Sequence, residues 1–448
     1  MKLKVKELLF LGGVLICSVN SFSQEVRKIT LEEALELGVV NSKHLLIDSA
    51  RIVAAEASVE EAKNRQLPDF KISASYLRLT NANLNLKSAQ SSGTESESSS
   101  SGAAMPKVNQ AAYGMANLSM PIFAGGRIRY GIESSKYLLE AARLTTADDE
   151  NAVMYNISQA YVNLFKAAQV VTVIKEDLKS SKKRDADFLN MENNGLLARN
   201  DRLKAQLQTS DLELKLLEAE NNYTIANVNM NLMLGLPESL VIEVDSAFVQ
   251  RSYDVKSIQE YEQLALQNRK DLQATDFQKK AAILDTKSAK AERLPSLALT
   301  GGYVAADIPK VLTITNAVNL GVGIQYNLAN LWKGNTALKQ SKAREAQLDA
   351  SRNLLVDDLR LNVNSDYQNA LLAQRKIEVL TKAATQATEN YRITKNKFDN
   401  SLVTMTDLLD ANVMLLATRI NILNARADAA LAYKKLLKTT GILYQKNN

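Results

Sequence analysis

The sequence predicts an α+β membrane protein in which very long helices are joined by a few strands. Two long stretches, residues 132–194 and 335–440, contain neither glycine nor proline. Two antiparallel helices of about 50 residues, folded from the second stretch, would each reach roughly 75 Å at 1.5 Å per residue. That length exceeds what a globular domain needs. All six prolines lie outside these stretches, so no residue within them is expected to break a helix.

The N-terminal segment is typical of a secretory signal peptide. A basic flank, an apolar run and small residues follow one another in the expected order: Lys2, Lys4 and Lys6, then residues 8–19, then Ser21 and Ser23. The apolar run is too short to serve as a stable membrane anchor. We therefore expect residues 1–23 to be removed during export.

The composition of the mature chain excludes several classes of function. Loss of residues 1–23 lowers the basic residues from 55 to 52 and the acidic residues from 49 to 48, so the net charge falls from +6 to +4. These charges are interspersed, which gives no support for nucleic-acid binding. One histidine, His44, and no cysteine remain, so Cys/His metal clusters and nucleophilic triads are absent. We expect neither an enzyme nor a cofactor.

The mature chain contains an internal duplication. Matching residues first lie 227 positions apart and later 206 positions apart: Asn41 with Asn268, Tyr76 with Tyr303, Tyr161 with Tyr367, Asp201 with Asp407, and Gly235 with Gly441. The change of offset is explained by the serine-rich run 88–104, which has no counterpart and is predicted to be an exposed loop. We therefore assign residues 24–237 to the first repeat, 238–256 to a linker and 257–448 to the second repeat.

Each repeat is predicted to contain one helix, two strands and two long helices. The first helices are expected at 31–66 and 258–293, and alternating segments predict strands at 70–76, 116–122, 297–304 and 318–328. Such strands, apolar on one side, suit a transmembrane barrel, although a soluble sandwich fits them equally well. Four strands cannot enclose a lumen, since bacterial barrels start at about eight. An oligomeric barrel is therefore expected.

The last helix carries a heptad pattern that predicts a packing seam. Its members recur every seven residues in two series: Leu409, Leu416, Leu423, Ala430 and Leu437, then Val413, Ile420 and Ala427. The rest of the helix surface is polar, which suits a layer of helices with water on one or both sides.

Several short motifs, placed in this order, resemble those of the TolC family of outer-membrane efflux and secretion ducts. They are the junction PIFAGGR (121–127), the helix-hairpin tips at 194–201 and 400–407, and the helix endings LMLGLP and LKTTG. The resemblance covers essentially all of the mature chain. It implies that three chains share a 12-stranded barrel, four strands from each chain, and a long periplasmic barrel of antiparallel helices.

The resemblance also implies a function and partners. The chain would be the outer-membrane channel of a tripartite efflux or type I secretion system. It would form a homotrimer in outer-membrane lipid and would accept substrates from an inner-membrane pump, of the resistance-nodulation or ABC type, through a periplasmic membrane-fusion adaptor. The alternative is a secreted or periplasmic coiled-coil structural protein whose strands cap the helices.

The same resemblance assigns roles to residues at the two tips. Adaptor docking would use Gly195, Leu196, Leu197, Ala198, Ser401, Leu402, Val403 and Thr404. This sequence departs from the family at the second tip, where Ser401 replaces a glycine. Val403 and Phe398 stand where an arginine and a tyrosine help to close the entrance in some members.

Two acidic residues follow the second tip. Asp407 and Asp410 are three residues apart on one helical face and match the aspartate pair that lines the periplasmic constriction in the family. A structural role is the alternative, because Thr404 and Asp407 have the spacing of a capping box and acidic residues favour a helix N-terminus.

Overall fold

The computed structural model describes residues 26–82, 108–250, 255–309, 312–331 and 336–443. The predicted signal peptide and the serine-rich run 88–104 lie outside these residues. The helices are α1 (Leu31–Val40), α2 (Lys43–Asn64), α3 (Arg127–Asn193), α4 (Arg199–Leu234), α5 (Ile258–Asn268), α6 (Lys270–Ala291), α7 (Thr336–Asp399) and α8 (Met405–Thr439). The strands are β1 (Val26–Ile29), β2 (Asp69–Ala82), β3 (Val108–Phe123), β4 (Val241–Val244), β5 (Ser296–Ile308) and β6 (Leu312–Gln325).

The order of two helices, two strands and two long helices occurs twice in the described chain. The prediction of one uninterrupted helix at the start of each repeat is wrong, because each is divided in two. In the first repeat Asn41 ends α1, and its side-chain amide donates to Leu37 O (3.0 Å) and to Leu234 O (2.8 Å). In the second repeat Arg269 adopts an extended backbone between α5 and α6. A partner distant in sequence therefore ends the first helix.

Two pairs of asparagine and glycine occupy corresponding positions in the two repeats and make similar close contacts. Gly235, which follows α4, has a positive φ of 70°, and a Cβ there would lie 2.9 Å from the Asn41 side chain. Gly441, which follows α8, has a φ of 73°, and a Cβ there would lie 2.9 Å from the Asn268 backbone. Any side chain at these positions would be strained and crowded. Each repeat thus brings its first and last helices together at one glycine.

The described chain divides into two compact units. The first comprises residues up to 49, 145–272 and those from 354 onward, and its main core contains Ile157, Tyr161, Leu164 and Met230. It also holds a two-stranded parallel sheet of β1 and β4, which the sequence pattern did not predict. Strand β4 and a 3₁₀ turn at Ala247–Gln250 lie within the segment assigned to the linker.

Tyr161 joins this small sheet to the core. Its ring is fully buried, and its hydroxyl donates to Ile29 O at 2.8 Å and accepts from the Asp245 backbone N–H at 2.9 Å. Burial raises the pKa of the Tyr161 hydroxyl, so the group stays protonated. The N-terminal strand is thus fixed by a side chain of α3.

The second unit comprises residues 50–144 and 273–353, and it holds a four-stranded antiparallel sheet in the order β2-β3-β5-β6. The predicted strands are present, but β3 and β6 begin earlier than predicted, and β6 ends at Gln325 rather than at 328. Strands β2 and β6 each have one neighbour, so the described sheet has two free edges.

The register of this sheet separates its residues into two faces. One row across the strands is Phe70, Leu118, Gly301 and Leu320, and the adjacent row on the other face is Lys71, Asn117, Gly302 and Asn319. The alternation read from the sequence therefore aligns across all four strands and produces one largely apolar face and one of small or polar residues.

The predicted heptad seam of α8 is only partly correct. Ala427 and Ala430 are buried as expected, but Val413 is about half exposed. Toward the tip the buried leucines are Leu408 and Leu415, each one position before a member of the predicted series. No helix in the described part of the chain combines the length and apolarity required to cross a membrane.

Candidate functional site

The first tip, between α3 and α4, closes by a Schellman turn. The Gly195 N–H donates to Glu192 O at 3.0 Å, and the Leu196 N–H donates to Met191 O at 2.8 Å. This arrangement requires a left-handed residue after the helix, and Gly195 supplies it with a φ of 73°. Glycine adopts that conformation without steric cost.

The second tip, between α7 and α8, has the same turn without the glycine. The Ser401 N–H donates to Phe398 O at 2.9 Å, and the Leu402 N–H donates to Lys397 O at 2.8 Å. Ser401 adopts a φ of 59°, which costs an L-residue roughly 1 kcal/mol. Ser401, which departs from the family pattern, therefore adopts the same backbone conformation as Gly195.

The two turns present matching leucines to solvent. Leu196 is 74% exposed and Leu402 is 73% exposed, although leucine is usually buried. The next residues, Leu197 and Val403, instead pack against the core beneath the tips. Each predicted docking segment thus has one outward apolar residue and one inward anchor.

That core, here called the tip cluster, joins the two helical hairpins. Its buried members are Phe188, Ala205, Phe398, Met405 and Leu408. The Phe188 and Phe398 rings meet edge to face, with centroids 5.7 Å apart. Phe398 therefore serves as an apolar contact between the hairpins.

A polar network that the sequence pattern did not predict lies beside the tip cluster. Asn412 is 3% exposed; its side chain accepts from Arg184 Nη1 at 3.3 Å and donates to Asp177 at 3.2 Å. Arg184 Nη1 also donates to the Tyr391 hydroxyl at 3.0 Å. The network connects α3 with both α7 and α8. An asparagine among apolar helix positions was the available signal.

Burial dominates the electrostatics of this network. It raises the pKa of the Asp177 carboxyl, against the opposing effects of Arg184 and the hydrogen bond from Asn412. Arg184 Nη2 is buried without a hydrogen-bond partner among the described residues. Loss of one member of the network would leave other buried polar groups unpaired.

Asp407 forms the capping box that its spacing allowed. Its Oδ2 accepts from the Thr404 backbone N–H at 2.8 Å and from Thr404 Oγ1 at 2.6 Å. The Asp407 N–H donates to Thr404 Oγ1 at 3.2 Å. These hydrogen bonds lower the pKa of Asp407, whose carboxylate stays exposed. A structural role at the helix start is thus present, and it leaves the charge available to solvent.

Asp410 lies one helical turn further along α8 and is also exposed. Within the part of the chain that the structure describes, neither Asp407 nor Asp410 has an ion-pair partner. In the first repeat the corresponding residues are Asp201 and Lys204, which form an ion pair at 3.1 Å. The second tip therefore carries two uncompensated carboxylates, whereas this pair at the first tip is neutral.

Comparison with known proteins identifies relatives of the whole chain. The family model of the outer membrane efflux protein matches residues 35–236 and 262–442. The outer membrane protein TolC of Vibrio cholerae is 22% identical over 443 residues, which cover 96% of this chain and 94% of the relative. The outer membrane efflux protein BepC of Brucella suis is 22% identical over 329 residues, which cover 72% of this chain and 71% of the relative.

The fold is also that of a solved structure. The outer membrane protein VceC from Vibrio cholerae superposes with a TM-score of 0.74 at 17% identity, covering 92% of this chain and 96% of that one. Since the family model matches well over half of the sequence, the chain belongs to the outer membrane efflux protein family, which places it in the outer membrane with its helical part in the periplasm.

Proposed function

We propose that the protein is the outer-membrane channel of a tripartite efflux or type I secretion system. The observation that carries this proposal is the four-stranded sheet, which has one apolar face and two free edges. Four strands cannot surround a lumen, whereas three copies joined edge to edge supply 12. Pairing β6 of one chain with β2 of the next would also satisfy the free backbone groups, which lipid cannot do.

The two faces of the sheet suit the two environments of such a barrel. Exposed apolar residues on one face, such as Ile72, Leu320 and Ile324, would contact lipid chains. Lys71, Asn117 and Asn319 on the other face would line a water-filled passage. Transport through this passage involves no chemical change of the substrate and no cofactor.

The helical tips would receive the periplasmic adaptor, which connects the channel to an inner-membrane pump. Leu196 and Leu402 support this role because they are exposed apolar residues at matched positions of two rigid turns. Their neighbours in the docking segments, Leu197 and Val403, would hold the turns on the tip cluster.

Asp407 and Asp410 would line the periplasmic constriction. Their exposure and the absence of a described counter-charge support this role. Repeated in three chains, they would place six carboxylates near one axis, where low-dielectric walls strengthen their field. Cations would be attracted to that point and anions repelled.

The proposal is tested with the full chain purified in detergent and reconstituted in planar bilayers. Light scattering should give the mass of three chains, and the trimers should conduct ions. A monomer that retains its strand signal, or a trimer without conductance, would contradict the proposal. A conduction-free elongated protein would instead favour the coiled-coil structural role.

A further inference from the structure

A groove of about 640 Å³ lies between α2 and α3, close to the ends of the strands. Its lining combines three cationic side chains with one carboxylate, one amide, one phenol and one aliphatic residue: Lys63, Arg129, Lys136, Glu133, Gln66, Tyr137 and Ile132. The formal charge of the lining is therefore +2.

The three cations have no ion pair with any residue that the structure describes. Nearby arginines behave differently, since Arg65 pairs with Glu61 at 3.1 Å and Arg143 pairs with Glu56 at 2.9 Å. Cations that converge on one groove without internal partners are available to an external anion. A phosphate diester suits them, because arginine and lysine bind phosphate oxygens through charge-assisted hydrogen bonds.

In the proposed channel, one end of the groove lies close to the lipid headgroups. Strand β3 ends at Phe123, and Arg129 is the third residue of α3. At 1.5 Å per residue, the helix rises only about 14 Å from its start to Lys136. The headgroup layer of each leaflet occupies about 5–8 Å beyond the hydrocarbon core. In the proposed channel, the near end of the groove, at Arg129, therefore lies close to that layer.

The groove also opens away from the passage. Residues 129, 133 and 136 share one face of α3. The opposite face lines a different cavity, whose strand residues include Asp69, Ser119 and Ala298 and, at the strand ends, Phe123 and Leu297. Asp69, Ser119 and Ala298 belong to the small and polar face of the sheet. This step rests on the proposed function, in which that face lines the passage and the apolar face contacts lipid.

We propose that this groove binds the anionic headgroup of a phospholipid in the inner leaflet of the outer membrane. Arg129 and the two lysines pair with the headgroup phosphate, and Gln66 and Tyr137 provide further donors.

The test compares two charge-matched triple variants of the full chain in detergent. One is K63Q/R129Q/K136Q. The control is K179Q/K183Q/K376Q, which removes three exposed lysines that also lack a described ion pair. Binding of phosphatidylglycerol is titrated by native mass spectrometry, with phosphatidylcholine as the neutral comparison and inorganic phosphate as a competitor.

The groove variant should bind phosphatidylglycerol roughly 100-fold more weakly, since each basic residue contributes about fivefold near an anionic lipid. The control should stay within about twofold. Equal losses in both variants, or none in either, would overturn the proposal. Competition by inorganic phosphate at equal concentration would identify a free-phosphate site instead of a lipid site. Conductance is recorded on the same samples: wild-type trimers without conductance would refute the proposed function, whereas conducting trimers without charge-dependent lipid binding would refute the groove alone.

Discussion

The two hairpin tips share one backbone and differ in chemistry. Both close by the same pair of hydrogen bonds and present one exposed leucine. Gly195 occupies the left-handed position at the first tip and Ser401 at the second, and only Thr404 caps its helix through a side chain. The geometry of the turn has thus been retained after duplication while the side chains diverged.

Charge shows the same divergence. Glu192 and Arg202 form an ion pair at 3.1 Å near the first tip, and the corresponding residues of the second tip are Phe398 and Leu408, which are buried in the tip cluster. The second hairpin therefore makes apolar contacts with the first hairpin, and its carboxylates at Asp407 and Asp410 are exposed to solvent. Two turns with the same backbone geometry therefore carry different side-chain chemistry.

The largest effect is expected from placing a charge at the exposed leucines. Leu196→Glu and Leu402→Glu should each abolish export, because a carboxylate would have to be desolvated at an apolar contact. Export is measured in cells together with the amount of trimer in the membrane. Leu207→Glu is the control, since Leu207 is 71% exposed on α4 away from the turn. Export that survives both tip changes would exclude docking at the tips.

The second prediction concerns ion selectivity and uses the first tip as its control. Replacing both Asp407 and Asp410 with asparagine should abolish cation selectivity and block by multivalent cations in single-channel recordings. Asp201→Asn should have little effect, because Lys204 already balances that charge. If the double variant keeps its selectivity but forms less stable trimers, the aspartates are structural and the capping box is their role.

The third prediction tests the buried network between the hairpins. Asn412→Ala should lower the free energy of unfolding by about 2–4 kcal/mol, because Asp177 and Arg184 would lose a buried partner. Thermal denaturation followed by circular dichroism provides the measurement. Asn421→Ala, at an exposed position of the same helix, is the control. Equal melting temperatures for the two variants would show that the network adds nothing to stability.

The fourth prediction exchanges the turn residues. Ser401→Gly should stabilise the second tip by about 1 kcal/mol, and Gly195→Ser should destabilise the first by a similar amount, because only glycine adopts the left-handed conformation freely. Amide hydrogen exchange at residues 196 and 402 reports the local change. Opposite signs are required; a stabilising effect of both changes would refute the equivalence of the turns.

The smallest effect is expected in the pH dependence of stability. Folding raises the pKa of Asp177. Its contribution to the free energy of unfolding is therefore fully present below the ordinary pKa of about 4 and is lost as the pH rises through the raised value. Folding lowers the pKa of Asp407. Its contribution to the free energy of unfolding is therefore present above about pH 4 and is lost as the pH falls through the lowered value. Melting temperatures of Asp177→Asn and Asp407→Asn, each compared with wild type across the acidic range, should therefore diverge in opposite directions. Parallel curves would contradict the assigned shifts.

Much of the fold follows from local patterns. The positions of glycine and proline predicted the long helices, and the period-two alternation predicted the four strands, because both signals act within a few residues. The spacing of Thr404 and Asp407 likewise predicted a cap that the structure contains. The family resemblance assigned Leu196 and Leu402 to the docking segments; both side chains are exposed, and their docking role stays a prediction.

The long helices, the four strands of the larger sheet and the two faces of that sheet follow from the sequence, since each depends on a pattern among neighbouring residues. Tertiary structure decided where α1 ends, because Asn41 bonds to Leu234, 193 residues away. It also decided that β1 pairs with β4, since strands of four residues carry too little pattern to be recognised. Contacts between residues far apart in the chain produce no periodic pattern in the sequence. The contacts of Asp177, Arg184 and Asn412 are of this kind, because only the packing of the helices brings these residues within hydrogen-bonding distance.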